Sequence, residues 1–235
     1  MLDFHNHIIP GIDDGSPDCA MSEQLIQGLK ELGFDEIIGS PHIIMDTHPN
    51  NKETISDAFL KLNEHQASNH SMSLSSYAAE YMMDDTFLAK LNQKVPLLCI
   101  KDNIVLVELS YTHKPDHLET MSFQLQIEGY IPILAHPERY IYYHKDYKTT
   151  YTYLKDLGFD LQLNLLSLTP YYGKEVQNIA LKLLNDGLYD FACTDLHHLR
   201  HLEALQFLSN EYGSMKELFQ KYNFRNSELS LRQSN

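Results

Sequence analysis

An α/β protein built on a parallel sheet is predicted by three observations. Short apolar runs rich in β-branched residues alternate with helical periods along the chain, and short connections join them. Seven such strand-plus-helix units can be counted, and histidines or carboxylates follow six of the seven strands. An open doubly wound sheet or a closed barrel would satisfy the alternation. The placement of ligand-type residues favours a barrel, because a barrel brings every strand end to one rim, whereas a doubly wound sheet gathers its site at one switch point.

Met1 to Phe4 is a short apolar start that ends in His5-Asn6-His7. Residues 18–32 have the helical period, with Met21, Leu25, Ile26, Leu29 and Leu32 on one face and Gly33 as a stop. Glu36 to Ser40 is the next strand and runs into Pro41-His42; a helix over 52–67 carries Ile55, Phe59 and Leu62. Leu74 to Ala79 leads to Glu80, and a short helix follows near 84–93. Ile104 to Leu109 is a strand holding Glu108. A helix over 116–128 precedes the strand Tyr130 to Ala135, which ends at His136. Further on come a helix over 147–157, a strand over 160–165 and a helix over 174–187 closed by Gly187. Tyr189 to Thr194 is the last strand and ends in Asp195-Leu196-His197, after which helices finish the chain.

A chain of 235 residues, 43% hydrophobic, is enough for one well-buried domain, and no linker or repeat divides it, so a single domain over 1–235 is expected. No apolar stretch reaches about 18 residues, so no membrane insertion is expected. His5 and His7 interrupt any signal-peptide core. Cys19, Cys99 and Cys193 are odd in number and far apart, which argues against a disulfide framework and for a reducing, cytoplasmic setting. The net charge of −14, with 18 basic residues and no basic run, argues against a nucleic-acid partner. An acidic protein still binds phosphate where divalent cations sit in the site.

The chemistry-bearing residues fall into six groups. In His5-Asn6-His7, positions i and i+2 of an extended chain face the same way, so the two imidazoles can hold one ion. Asp13-Asp14-Gly15 lies just beyond. His42 closes the second strand, where a lone histidine is commonly structural. Glu80 in AAEYMMDD is either a ligand or a helix N-terminal acid. Glu108, inside IVLVEL, is costly to bury unless paired or bound to metal. His136 closes the next strand in AHPERY, and Asp195-Leu196-His197-His198 repeats the i, i+2 spacing of the first group. Singly each is weak; together they specify a metal centre.

DFHNHIIPGIDDG, SPH, AAEYMMDD, LVELS, ILAHPERY and CTDLHH, in this order, resemble the motif series of the polymerase and histidinol phosphatase (PHP) superfamily. Within it they are most similar to the bacterial protein-tyrosine phosphatases linked to capsule and exopolysaccharide control. The resemblance spans nearly the full chain. It implies a distorted (β/α)7 TIM-like barrel with up to three divalent ions at the C-terminal ends of the strands. By similarity His5, His7, Glu80 and Asp195 hold one ion; Glu80 bridges to a second, completed by Glu108 and His136; Asp14, His42 and His197 hold the third. Arg139 resembles the family's phosphate-binding arginine. Where relatives often carry a second basic contact this chain reads HHLRHL, and Arg200 is the candidate, with His198 and His201 nearby. The segment LNLLSLTPYYG also departs from the family, with a larger residue before its Ser-Leu pair. The implied substrate is a phosphotyrosine-bearing protein tail, that of a membrane-bound tyrosine kinase governing polysaccharide export.

Divalent ions make hydroxide available near neutral pH and neutralise phosphoryl charge, while an arginine adds a bidentate contact. Mixed His and carboxylate ligands suit Mn, Fe or Zn, and the carboxylates favour Mn. Asp14 or a nearby histidine can serve as general acid. A cysteine-dependent phosphatase needs Arg six residues after its nucleophile; Cys19 and Cys99 lack it, and Arg200 comes one residue too late for Cys193. Walker and GxGxxG signatures are absent. Histidinol-phosphate hydrolysis, exonuclease action and an inactive metal-binding scaffold are the alternatives. Tyr81, Tyr140, Tyr142, Tyr143, Tyr171 and Tyr172 either line a cleft around an aromatic ring or serve as packing and surface residues.

Overall fold

The computed structural model describes residues 1–69 and 74–231; the last four residues of the expected 1–235 domain lie outside it. Among the described residues there are nine strands and eight α-helices, most strands being followed by a helix. β1 (Leu2–Asp3), β2 (Glu36–Gly39) and β4 (Ser76–Tyr77) form a parallel sheet in the order β1-β2-β4. A second parallel sheet has the order β3-β5-β6-β7-β8-β9, with β3 at His42–Ile43, β5 at Glu80–Met82, β6 at Ile104–Glu108, β7 at Ile131–Ala135, β8 at Asp160–Asn164 and β9 at Phe191–Cys193. The α/β class and the parallel pairing are as the alternation predicts.

Two expected strands, over 36–40 and 74–79, contain β2 and β4, and a further short strand follows each. The run from Glu36 continues as β3 only after Ser40-Pro41, and the run from Leu74 continues as β5 after Ala78-Ala79. Proline has no N–H to give to a ladder. Across the break, Ala78 N–H still donates to the Gly39 carbonyl (2.8 Å) and Glu80 N–H to that of Pro41 (3.0 Å), so register carries through. At the other end, Asn6 and Leu196 form a parallel bridge: His7 N–H donates to Leu196 O (2.9 Å) and Asp195 N–H to His5 O (2.8 Å).

The helices are α1 (Cys19–Glu31), α2 (Lys52–Asn69), α3 (Asp85–Asn92), α4 (Leu118–Ile127), α5 (Tyr147–Asp156), α6 (Lys174–Asn185), α7 (Leu199–Glu211) and α8 (Met215–Tyr222). Asp18 caps α1 by accepting from Met21 N–H, and Asp84 caps α3 by accepting from Phe87 N–H, both at 2.9 Å. Most strand residues are buried on both faces, as parallel sheets flanked by helices require. Val105, Val107, Leu134, Leu161, Leu163 and Ala192 join the helix-side core. Leu2, Phe4, Ile38, Leu106, Ile133, Phe191 and Cys193 form a second core on the opposite side. Glu108 is two residues beyond Leu106, so the strand period carries its carboxylate along that second face.

Candidate metal centre

The strand register sets the site. β3 pairs with β5 so that His42 lies opposite Glu80, and β5 pairs with β6 so that Met82 lies opposite Glu108. His42 Nδ1 is consequently 3.0 Å from both Glu80 Oε2 and Glu108 Oε1. The Asn6–Leu196 bridge sets residues 5–7 against 195–197: Asp195 Oδ1 lies 3.3 Å from Nε2 of both His5 and His7. Glu80 Oε1 is 3.2 Å from His5 Nε2 and 3.1 Å from His136 Nε2. Asp14 Oδ1 faces Nε2 of His42 (3.6 Å) and of His197 (3.5 Å). All nine residues expected from the sequence as metal ligands therefore converge.

Four overlapping groups keep their ligand atoms within 4.8 Å of one another: His7, Asp14, His42 and His197; His5, His7 and Glu80; His5, His136 and Asp195; His42, Glu80 and Glu108. His136 thus lies with His5 and Asp195, and His42 lies with the two glutamates as well as with Asp14 and His197. Many of these atoms are sealed from water and lack hydrogen-bond partners among the described residues: Nε2 of His5 and His7, Nδ1 of His42 and His136, Oε2 of Glu80 and both oxygens of Glu108. Buried polar atoms are rarely left unpaired. A set of lone pairs aimed at one another, mixing imidazole and carboxylate, fits divalent cations.

Charge organises the same residues. Burial opposes ionisation of Asp195, yet His5 and His197 hold its carboxyl well below the usual range. Glu80 is held down likewise, against burial, by His5 and His42. Burial and the neighbouring Glu80 together raise Glu108. Burial and His7 disfavour the charged form of His42, but Glu80 and Glu108 push its pKa up to about 10, whereas burial drives His136 down to about 4. With carboxylates this close, the cluster draws cations.

Supporting contacts that sequence reasoning missed orient the ligands. His5 Nδ1–H donates to Gln162 Oε1 and His7 Nδ1–H to Asp13 Oδ2, both at 2.8 Å, and His197 Nδ1–H donates to the Asp195 carbonyl at 2.9 Å. Each bond leaves Nε2 as the inward lone pair. Asp13 Oδ2 also accepts from His42 N–H at 3.1 Å. Asp3 is buried and accepts from Thr194 N–H (3.0 Å) and Oγ1–H (2.7 Å), tying the first strand to the turn before Asp195. The repeated acidic pair Asp13-Asp14 was the visible signal for Asp13; nothing in the strand period marks Gln162. His136 (φ 35°) and Asp195 (φ 50°) both take the left-handed backbone region, a strain that concentrates at functional positions.

A cleft of about 270 Å³ opens onto this cluster, and Asp14, His42, His136, Asp195 and His197 reach it. Its other walls are Tyr111, Arg139, Tyr172, His198 and His201. Arg139 follows His136 in the 3-10 turn Pro137–Arg139, and its Nη1–H donates to Asp195 Oδ2 at 2.8 Å. Asn164 Nδ2–H donates to the same oxygen at 2.8 Å. Arg200 is exposed in the first turn of α7 and does not line the cleft; His198 and His201 do. Among the six tyrosines singled out from the sequence, Tyr172 lines the cleft. Tyr81 and Tyr140 are buried and serve packing, their hydroxyls accepting from Leu98 N–H and Leu109 N–H at 2.8 Å. Tyr142 donates to the Ser110 carbonyl at 2.8 Å, Tyr143 is buried, and Tyr171 packs edge-on against His201. Tyr111, which the sequence did not single out, is the second aromatic wall.

The cysteines are all free, and Cys193 is buried with its thiol pushed well up by burial and by Asp3. It is an inert core residue. Among the described residues no helix is long and apolar enough to cross a membrane.

The chain is 29% identical to the tyrosine-protein phosphatase YwqE of Bacillus subtilis over 220 residues, 91% of this chain and 86% of the relative. It is 25% identical to the tyrosine-protein phosphatase CpsB of Streptococcus pneumoniae over 231 residues, 93% and 95% of the two chains. Among solved structures, one from the description of YwqE and CpsB as "unique metal-dependent tyrosine phosphatases" superposes with a TM-score of 0.81 at 28% identity, covering 100% of this chain and 96% of that one. The family model for capsular polysaccharide synthesis, CpsB/CapC, matches residues 1–227, and the chain belongs to that family.

Proposed function

We propose that the chain is a metal-dependent protein-tyrosine phosphatase that hydrolyses phosphotyrosine in protein substrates, and that its physiological substrate is the tail of a membrane-bound tyrosine kinase controlling capsular or exopolysaccharide synthesis. One observation carries this reading: a cluster of nine convergent His, Asp and Glu residues opens, through five of them, onto a cleft that an arginine also lines. The relatives' activity and their metal dependence support it. The site takes up to three divalent ions, with Mn favoured by its carboxylates. We read residues 1–235 as one cytoplasmic domain. Its two sheets, joined through the β2–β3 and β4–β5 continuations and the Asn6–Leu196 bridge, are read as one distorted seven-stranded barrel.

When bound, the ions supply an acidified water and a counter-charge for the phosphoryl group. The protein's own part is positional. His5, His7 and His197 are held with Nε2 inward by their Nδ1–H bonds. Arg139 spends one donor on Asp195 and lines the cleft with the rest of its guanidinium, which suits a phosphate fork. Asp14, more than half exposed at the cleft, stands between water and the ligands, and His197 and then burial act on it in opposite senses to leave its carboxyl below the usual range. It is therefore an ionised hydrogen-bond acceptor in this state. Arg200, exposed near His198, can approach the phosphate of a bound tail from the rim.

A phenolate leaves more readily than an alkoxide because its conjugate acid has a pKa near about 10. The expected order is therefore phosphotyrosine peptide well above matched phosphoserine peptide and histidinol phosphate, in kcat/KM with Mn supplied. Equal values, or a preference for histidinol phosphate, would move the chain to another branch of its superfamily.

A further inference from the structure

Arg139 lies over two aromatic rings: its guanidinium carbon is 4.7 Å from the centroid of Tyr111 and 4.2 Å from that of Tyr172. We infer that Tyr111 and Tyr172 are positioning residues that clamp Arg139 in register with Asp195 and thereby set how tightly the site grips phosphate; this rests on the phosphatase reading above.

The two tyrosines come from separate parts of the chain. Tyr111 follows β6, and Tyr172 lies in the 3-10 turn Pro170–Tyr172 beyond β8. Both line the cleft that contains Arg139. The guanidinium has three kinds of neighbour: two aromatic rings that it lies over, the Asp195 carboxylate, and the cleft. Among the described residues Asp195 is its hydrogen-bond partner, and its remaining N–H groups are not among the sealed, unpaired atoms. A planar cation lying over aromatic rings loses freedom to tilt while its edge donors stay available. The two ring contacts thus restrain tilt of the guanidinium, and the Asp195 bond restrains its rotation. The donors left over point where a phosphate oxygen can meet them.

The hydroxyls have different partners. Tyr111 Oη is 3.3 Å from His136 Nε2, and Tyr172 Oη accepts from Asn164 Nδ2–H at 3.3 Å. Asn164 in turn donates to the same Asp195 oxygen as Arg139. A hydroxyl-based role is therefore a distinct alternative, and substitution separates it from a ring-based one. The clamp uses ring faces, so phenylalanine preserves it and leucine removes it. Tyr111 is 42% exposed, and its replacement leaves the core intact.

The test uses the metal-loaded full chain and four variants: Tyr111→Phe, Tyr111→Leu, Tyr172→Phe and Tyr172→Leu. Readouts are kcat and KM on a phosphotyrosine peptide, the inhibition constant of inorganic phosphate, bound metal and the thermal midpoint. Each Leu variant is expected to weaken phosphate inhibition and lower kcat/KM by about tenfold, the scale of a desolvated cation–π contact. Metal content should stay at the wild-type value. Each Phe variant is expected to stay within about twofold of wild type. Leu variants with wild-type phosphate inhibition would overturn the clamp, and Phe variants falling as far as Leu would transfer the role to the hydroxyls. A Leu variant with lost metal or a collapsed midpoint would make the residue structural and likewise overturn it. Absence of phosphotyrosine turnover in the wild type, by contrast, is the failure of the phosphatase reading itself.

Discussion

Arg139 and Asp195 show how one contact serves two neighbours. Asp195 offers Oδ1 to the histidines and gives Oδ2 to Arg139 and Asn164, so the ligand is oriented by the group proposed to bind phosphate. A guanidinium repels cations and pairs well with phosphate. Arg139→Ala should therefore lower kcat/KM by roughly 100-fold, the size of losing one preorganised donor, with metal content close to wild type. Kinetics beside metal analysis check this; a variant that loses its metal and keeps its turnover per bound ion would assign Arg139 to ligand support alone. Asp13 acts one layer further out, through the His7 Nδ1–H bond and the His42 backbone. Asp13→Asn should reduce metal affinity by about 10- to 100-fold, read by titrating Mn into the stripped protein, and unchanged affinity would remove Asp13 from the design. Legibility at this scale follows from chemistry. A histidine or carboxylate ending an apolar strand violates the pattern around it, which is why His136 and Glu108 stood out. Gln162 and Asn164 sit in a run that reads simply as strand, and Tyr111 sits in an ordinary polar loop. For Tyr81, Tyr140 and Tyr143 the sequence leaves cleft and packing both open, because nearness to the motifs says nothing about which side of the sheet they pack.

At the scale of elements, the strand and helix periods set the architecture, and exceptions have local causes. The run from Glu36 divides because Pro41 cannot donate, and the short turn Pro137–Arg139 has too few residues to show a period. The loop carrying Asp13 and Asp14 is fixed by close backbone contact. Ser16 N–H donates to the His7 carbonyl at 2.9 Å, and a Cβ on Gly15 would stand 2.0 Å from that same oxygen. Glycine is required there for space. Gly15→Ala should force the loop off His7, weakening metal binding together with turnover, whereas Gly129→Ala, whose Cβ would meet nothing within 4 Å, should leave the metal site unchanged despite the strain of its positive φ. Equal metal affinity in wild type and Gly15→Ala would show that the loop yields without moving the ligands.

For the whole molecule, the distribution of ligands is the main fact. They follow the first and last strands or lie in and just after β3, β5, β6 and β7, with Asp14 in a loop, so the centre ties the chain's beginning to its end. Sequence order alone could show that these residues follow strands; that the strands bring them to one place depends on pairing register, which no local pattern encodes. A site assembled from the whole fold couples metal occupancy to global stability. Ions at about 1,000 times their Kd would stabilise the folded state by about 4 kcal/mol, or roughly 8–16 °C in Tm for a domain of this size. The most direct measurement is therefore turnover of a phosphotyrosine peptide and Tm on one preparation, before chelation, after removal of metal with EDTA, and after Mn is returned. The structure predicts a metal-free protein that is folded, melts earlier and has no turnover, with both properties restored by Mn. Full-rate hydrolysis by the metal-free protein would contradict the metal centre outright.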